Sequence, residues 1–367
     1  MSKSPLRLAL VGSGFMGRAH AMAFATAARA FDLPVTPALE LIADRTEASA
    51  AEAAEILGFR RSTANWRTIM ADPSIDLVAI AAPNRLHAPI AEAALAAGKP
   101  VYCEKPLATT LAEAEAMTAA AGASGLPTAV GYTYLYNPMI ALARDLIQSG
   151  EIGEVTAFRG IHAEDFMASP DAPFGWRCEP DQAGGALADI GSHIIAMALH
   201  LVGEVSEVSG TLQTAHPVRR DAAGAERRVT VDDQMDALVR FAGGATGALA
   251  ASWIATGRKN QLAFEVTGTR GSIHFTQERF NELKLCRAGG GFTTILAGPE
   301  HGAYGAFCPA PGHQLGYNDL KTIEVRAVLQ AVLGLPNAAL DFAKALRVER
   351  VADAIRRSHR ERAWIAL

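Results

Sequence analysis

The chain has 367 residues, half of them hydrophobic and 20% charged, with a formal net charge of −4. That length is too great for one ordinary core and predicts two domains. The balanced charge, with no basic tail or acidic block, argues against nucleic acid as a partner. The four cysteines, Cys103, Cys178, Cys286 and Cys308, form no Cys-x-x-Cys pair. Free thiols in a reducing cytoplasm are therefore expected, and neither a disulfide framework nor a zinc or other metal site is. The apolar run before Gly12 is too short for a signal peptide, and no uninterrupted apolar stretch is expected to cross a membrane.

Leu6–Val11 reads as a buried strand. It runs into Gly12-Ser13-Gly14-Phe15-Met16-Gly17, the pattern G-x-G-x-x-G, and then into an alanine-rich helical stretch up to Ala30. In that setting the first glycine makes a tight turn, the second admits a pyrophosphate against the backbone, and the third packs helix on strand. The helix N-terminus would face the phosphates with unpaired N–H groups. A second strand, Ala38–Ala43, ends in Asp44-Arg45. An acid there suits both adenine-ribose hydroxyls of NAD, whereas Arg45 suits the 2′-phosphate of NADP. Asp44 has a plainer alternative role as the N-cap of a helix over Thr46–Leu57.

Asp76–Ala81 is a third strand, followed by Pro83-Asn84-Arg85-Leu86-His87, which opens a helix through Ala97. Val101–Glu104 is a fourth strand, ending in Glu104-Lys105-Pro106. Thr109-Thr110 with Glu113 has the spacing of a capped helix start. Glu104 and Lys105 are thus expected where a buried strand opens into a loop, which is where ligands bind in open parallel sheets. A fifth strand, Thr128–Tyr132, completes a doubly wound parallel sheet.

After Tyr134 the rhythm changes. A helix over Pro138–Gln148 leads to Val155–Ile161. Strands are then predicted at Val205–Thr214, Met235–Phe241, Thr246–Ile254, Ala263–Thr267, Ser272–Thr276 and Leu283–Cys286, spaced as in an antiparallel sheet. Ala215–Val229 is polar and reads as a mobile loop. Helices near Asn318–Val332 and Asp341–Ser358 close the chain. Between these, Gly184-Gly185 precedes Asp189 and His193, which are four residues apart and fit one helical face. A carboxylate beside an imidazole suits proton transfer.

Taken together, the glycine loop, Pro83-Asn84 with His87, Glu104-Lys105-Pro106 and the segment from Gly185 through His193 resemble the Gfo/Idh/MocA oxidoreductases over essentially the whole chain. The resemblance implies an N-terminal Rossmann domain, placed at residues 1–133. It also implies a C-terminal α+β domain with a large, mostly antiparallel open sheet at 134–367, with the last helices packing back on the first domain. It implies NAD as cofactor, with NADP possible, bound by Gly12, Gly14, Phe15, Met16, Asp44, Arg45, Pro83, Asn84, His87, Glu104, Lys105 and a Trp176-Arg177 pair. Lys105, Asp189 and His193 become the catalytic set: His193 as general base, Lys105 steadying the developing alkoxide, Asp189 holding substrate hydroxyls or orienting His193. Lys105 as the base is the open alternative. Tyr134, Glu164, Asp165 and Tyr317 are expected on the pocket wall. Leu135 and Glu164 stand where a sugar-oxidising subgroup is expected to carry Arg and Gln, and Ala196 where many members have an acid. The implied reaction is hydride transfer between a secondary ring hydroxyl of a sugar, anhydrosugar or cyclitol and the nicotinamide. A non-catalytic cofactor-binding regulator and an NAD-dependent glycosidase are the alternatives. A homodimer or homotetramer through the C-terminal sheet is expected.

Overall fold

The computed structural model describes residues 4–367. Two compact units divide the chain: one runs through Tyr136 and takes up Leu315–Leu346, the other comprises Asn137–Gln314 and Arg347–Leu367.

In the first unit, strand β1 (Ser4–Val11) leads to helix α1 (Phe15–Ala30), β2 (Val35–Ala43) to α2 (Glu47–Leu57), and β3 (Arg61–Thr63) to the short α3 (Arg67–Ala71). The pattern continues with β4 (Leu77–Ile80), α4 (His87–Ala96), β5 (Val101–Glu104), α5 (Leu111–Ser124) and β6 (Thr128–Gly131). All six strands are parallel, in the order β3-β2-β1-β4-β5-β6. The order reverses beside β1, so β1 and β4 flank the crevice where ligands bind in such sheets. Strands β4, β5 and the edge strand β6 are buried along their whole length, as strands of a sheet covered on both faces must be. Helix starts follow their caps. Thr110 accepts the Glu113 N–H and Glu113 reaches back to Thr110, and Gly125 in the left-handed region closes α5.

The second unit opens with α6 (Pro138–Gln148), capped by Asn137, and β7 (Val155–Ala163). A π-turn over Leu187–Gly191 enters α7 (Ser192–Leu201). Then come β8 (Val205–Gln213), β9 (Val218–Arg220), β10 (Glu226–Arg228), β11 (Gln234–Phe241), β12 (Thr246–Ser252), β13 (Gln261–Gly268), β14 (Gly271–Thr276), β15 (Glu282–Arg287) and β16 (Thr293–Leu296). Helix α8 (Tyr317–Val332) belongs to the first unit; the boundary falls within α9 (Phe342–Glu361), and β17 (Ile365–Ala366) ends the chain. The large sheet has nine strands in the order β16-β15-β14-β13-β7-β12-β11-β8-β17. Its neighbours are antiparallel except β7 with β12, so the sheet is mixed rather than purely antiparallel.

Along β11, Met235, Ala237, Val239 and Phe241 are buried while Asp236, Leu238 and Arg240 are exposed. This period-two pattern sets one face of the sheet inward and leaves the other open. The inward face carries α7: a Cβ at Gly160 of β7 would collide with the Ile194 side chain.

One expectation needs correction. Ala215–Val229 is not a structureless loop: β9 and β10 form a hairpin pinned by Arg219, whose guanidinium is buried and donates to the Met167, Ser169 and Ala172 carbonyls at 2.9–3.1 Å. Helix α8, from the late part of the chain expected to pack back on the first domain, contributes Val325, Val328 and Leu329 to the core that holds Leu8, Leu10 and Phe24. Pro180–Leu201 is long and apolar enough by composition to cross a membrane, but Asp181, Gln182 and Asp189 interrupt it and 83% of its most apolar window is buried inside the protein, which explains its apolarity as that of a core element.

Candidate active site

In the first unit the candidate residues begin at the glycine loop. Gly12 has φ +99°, and a Cβ there would run into the Ala81 carbonyl. Gly17 approaches the Gly12 carbonyl so closely that a Cβ would collide with it. Gly14 differs: it is the N-cap of α1, exposed, with nothing within 4 Å of where a Cβ would sit and no side-chain cap on the helix. The three glycines therefore divide into two steric necessities and one open door. The leading N–H groups of α1 beside Gly14 are what a pyrophosphate requires.

Ser13 Oγ donates to Asp44 Oδ2, which fixes the acid at the end of β2. Asp44 does not cap α2: Thr46 does, accepting the Ser49 N–H at 3.1 Å. Asp44 is thereby left for another partner. Arg45 is exposed beside it. Phe15 is 73% exposed and lies 5.8 Å from Tyr317 with the rings tilted by 33°; the Tyr317 hydroxyl reaches Met16 Sδ at 3.2 Å. Tyr134 meets Tyr317 edge-on at 6.4 Å. Phe15, Met16, Tyr134 and Tyr317 thus form one aromatic patch over the loop.

Pro83 is exposed and Asn84 half-buried at the turn before α4. His87 does not belong with them. It has no exposed surface, and its ring nitrogens face the Pro106 carbonyl at 2.8 Å and the Ala82 carbonyl at 3.1 Å. It clamps the loop after β5 rather than presenting a nitrogen to a ligand. Lys105 is half-buried. Glu104 is 5% exposed, and its Oε1 receives Lys321 Nζ at 2.8 Å and His20 Nε2 at 2.7 Å. Burial alone would raise the Glu104 carboxyl, but the Lys321 ammonium and the His20 hydrogen bond outweigh it and hold it well below the usual range.

The second unit supplies another cluster. Asp189 lies in the π-turn, 6% exposed, and accepts Arg177 Nε at 2.7 Å. The Arg177 guanidinium lies over the Trp176 ring at 4.4 Å and the Phe166 ring at 5.2 Å. Trp176 and Arg177 were expected on the cofactor; within this unit Arg177 serves Asp189. His193 is half-buried in the first turn of α7, and its ring sits 5.4 Å from that of His162. His162 is 1% exposed, with Nδ1 on the Ile190 carbonyl at 2.9 Å and Nε2 between Glu164 Oε1 and Asn260 Oδ1, each at 3.2 Å. It therefore braces the π-turn between Asp189 and His193. Asp165 accepts Lys259 Nζ at 2.8 Å and the Gly257 N–H at 2.9 Å, which tie down the segment carrying Glu164. Arg219 and His162 carry no local mark as supporting residues, because nothing in local spacing separates them from surface or core residues. Among the described residues no cluster of His, Cys, Asp and Glu could hold a metal ion.

Comparison with known proteins agrees with this arrangement. Residues 6–132 match the model of the oxidoreductase family with the NAD-binding Rossmann fold, and residues 140–274 match the GFO/IDH/MocA C-terminal domain. A levoglucosan dehydrogenase from Pseudarthrobacter phenanthrenivorans is 39% identical over 98% of this chain and 97% of its own length. The solved structure of levoglucosan dehydrogenase in complex with NADH and L-sorbose superposes with a TM-score of 0.96 at 39% identity, covering 99% of both chains. An NAD-binding oxidoreductase from Klebsiella pneumoniae matches with a TM-score of 0.95 at 40% identity, again over 99% of both chains. With both of its halves matched and the two glycine-loop and Asp/His constellations in place, the chain belongs to the GFO/IDH/MocA family of oxidoreductases.

Proposed function

We propose that the protein oxidises a secondary ring hydroxyl of a sugar, anhydrosugar or cyclitol and passes the hydride to NAD. The observation that carries the cofactor half is the open door at Gly14 beside an uncapped helix N-terminus, with Asp44 held by Ser13 at the end of β2. NAD when bound supplies the hydride acceptor. Gly12, Gly14 and the leading N–H groups of α1 would hold its pyrophosphate, Asp44 its adenine ribose, and Glu104 and Lys105 its nicotinamide end. The exposed Phe15 and the Pro83-Asn84 turn would border it. A negative charge at Asp44 disfavours the 2′-phosphate of NADP, so NAD is the preferred cofactor.

The substrate half rests on Asp189 and His193. His193 accepts the hydroxyl proton, Lys105 steadies the developing alkoxide, and Asp189, fixed by Arg177, binds a neighbouring hydroxyl. Tyr134, Tyr317, Glu164 and Asp165 border the pocket. The likeness to levoglucosan dehydrogenase supports a pyranose or anhydropyranose as the substrate class. The open face of the nine-stranded sheet bears a groove of about 670 Å³ lined by residues including Arg159, Leu238 and His274. None of the site residues lines it, and Leu238 is 55% exposed there. A second copy of the chain covering this face fits an apolar, exposed sheet better than a small ligand does; sedimentation equilibrium reads the mass directly. Four free cysteines, three of them buried, suit a cytoplasmic setting.

A panel of sugars, anhydrosugars and cyclitols, followed by NADH absorbance, tests the proposal. Steady NADH formation with a pyranose or anhydropyranose is the expected result. Tight NADH binding without turnover of any CH–OH compound would overturn it in favour of a non-catalytic cofactor-binding protein.

A further inference from the structure

A second charge cluster lies behind Glu104, and the proposed chemistry leaves it without a role. Lys321, Glu324 and His20 have no exposed surface. The Lys321 ammonium donates to Glu104 Oε1 at 2.8 Å, Glu324 Oε2 at 2.6 Å and the Tyr102 hydroxyl at 3.1 Å. Glu104 Oε1 also meets His20 Nε2 at 2.7 Å, and Thr133 donates to Glu324 Oε2 at 2.8 Å. Tyr136 and Tyr317 feel the same charges, with burial the larger influence on both. Four elements meet here: α1, β5, the turn after β6, and α8.

Such a cluster is poor value for stability, because well-packed apolar residues serve a dry interior at least as well. Its use is directional. Glu104 immediately precedes Lys105, and its Oε2 accepts the Lys105 N–H at 3.3 Å. We propose that Lys321 is a positioning residue for Lys105: a permanent buried cation that keeps Glu104 ionised at every working pH, and so holds the Lys105 peptide in one orientation. His20 is the cluster's other potential cation, but burial lowers its pKa and disfavours its charged form. Burial raises Glu324, against the pull of Lys321, so Glu324 is the carboxyl that gives way when charge must balance. Lys321 does not titrate in the physiological range, since Glu104 and Glu324 more than offset the effect of its burial.

This inference rests on the assignment of Lys105 to the reacting centre, and the test separates the two. Lys321→Met leaves two buried carboxyls facing each other, so Lys321→Met/Glu324→Gln, which removes one anion with the cation, is measured beside it. The double variant is expected to fold and to lose roughly 10–100-fold in kcat near pH 8, the scale of a misplaced reacting group. Part of that loss should return at acidic pH, since a His20 that takes a proton can pair with Glu104 in place of Lys321. NADH affinity of the wild-type protein should be flat across the same range. Wild-type kcat in the double variant at both pH values would overturn the inference. So would a titration of wild-type NADH affinity that His20→Gln abolishes, since His20 would then supply the charge. Lys105→Ala is the reference: if it stays fully active, the assignment of Lys105 fails, not the geometry behind it.

Discussion

Arg177 Nε donates to Asp189 Oδ2 at 2.7 Å while its guanidinium carbon lies over the Trp176 ring at 4.4 Å and the Phe166 ring at 5.2 Å. The aromatic pair restricts the arginine to one pose, so the carboxylate receives its bond from a preorganised donor. Arg177→Met keeps much of the stacked length and removes the donor. A charge-assisted bond of ~1.5–3 kcal/mol predicts a fall in kcat/KM of roughly 10–100-fold, with NADH affinity changed far less. Steady-state kinetics with separate NADH titration checks the split. If NADH binding falls in proportion to kcat/KM, Arg177 acts on the cofactor instead.

The glycine loop makes two opposite predictions. Gly14→Val adds a side chain to open space at the cofactor door, so the protein should melt within a few degrees of wild type while NADH binding collapses. Gly17→Ala drives a methyl into the Gly12 carbonyl and should lower stability by about 1–3 kcal/mol, whether or not cofactor is present. Differential scanning fluorimetry with and without NADH tells them apart.

Asp44 is held by Ser13 and spared from capping by Thr46. Removing its charge should therefore change cofactor choice without unwinding α2. Asp44→Ser is expected to move the NADP/NAD ratio of kcat/KM toward NADP by about one to two powers of ten, if the like-charge contact is worth ~1–3 kcal/mol. A clear NADP preference in the wild-type protein would mean that Arg45 already dominates.

Asp232 gives a pH prediction. Its Oδ2 accepts the Leu187 N–H at 2.7 Å at the start of the π-turn, and burial pushes its pKa up to about 6. An unfolded aspartate titrates near ~3.9, so between those values the folded protein keeps a proton that the unfolded chain has lost. This group's contribution to stability therefore falls as pH rises from about 4 to about 6, by at most ~3 kcal/mol. Glu104, with a depressed pKa, acts in the opposite sense, its contribution being lost as pH falls. The difference between wild type and Asp232→Asn isolates the Asp232 term. Asn keeps an acceptor for Leu187, and the variant's gain in Tm should be larger at pH ~7.5 than at pH ~4.5.

What the sequence made legible was local and periodic. The glycine loop, the strand–helix alternation through β6 and the capped start of α5 all announce themselves within a few neighbouring residues. β3 was missed because Arg61–Thr63 is three residues long and partly exposed, with no apolar signal. The β9–β10 hairpin was read as a loop because its inward-pointing residue is Arg219, which polarity alone assigns to solvent. The place of Lys321 leaves no local trace for the same reason: a lysine on an amphipathic helix looks like a solvated face until Glu104, distant in sequence, is brought against it. His87 follows Pro83-Asn84 in sequence and so looks like a cofactor contact, and only tertiary packing turns it into a buried clamp. Charges that neutralise one another across long sequence separations leave no periodic trace.

The last prediction concerns the reacting groups. Lys105 follows β5 in the first unit and His193 lies in the first turn of α7 in the second. If both act on one hydroxyl, each single loss should be severe and the two should not multiply, since a proton acceptor is of little use without the alkoxide stabiliser. Lys105→Ala and His193→Ala are each expected to lower kcat/KM by roughly 10²–10⁴, and the double variant by less than the product. NADH affinity should survive in His193→Ala, because that residue is assigned to the substrate, and should weaken in Lys105→Ala. The pH profile decides which is the base. Loss of the acidic limb of kcat/KM in His193→Ala identifies the imidazole as the group that must be deprotonated. If that limb persists in His193→Ala and vanishes in Lys105→Ala, the roles are exchanged and Lys105 takes the proton. Strict multiplicativity of the two losses would mean that they serve separate steps, and the shared-hydroxyl mechanism would fall.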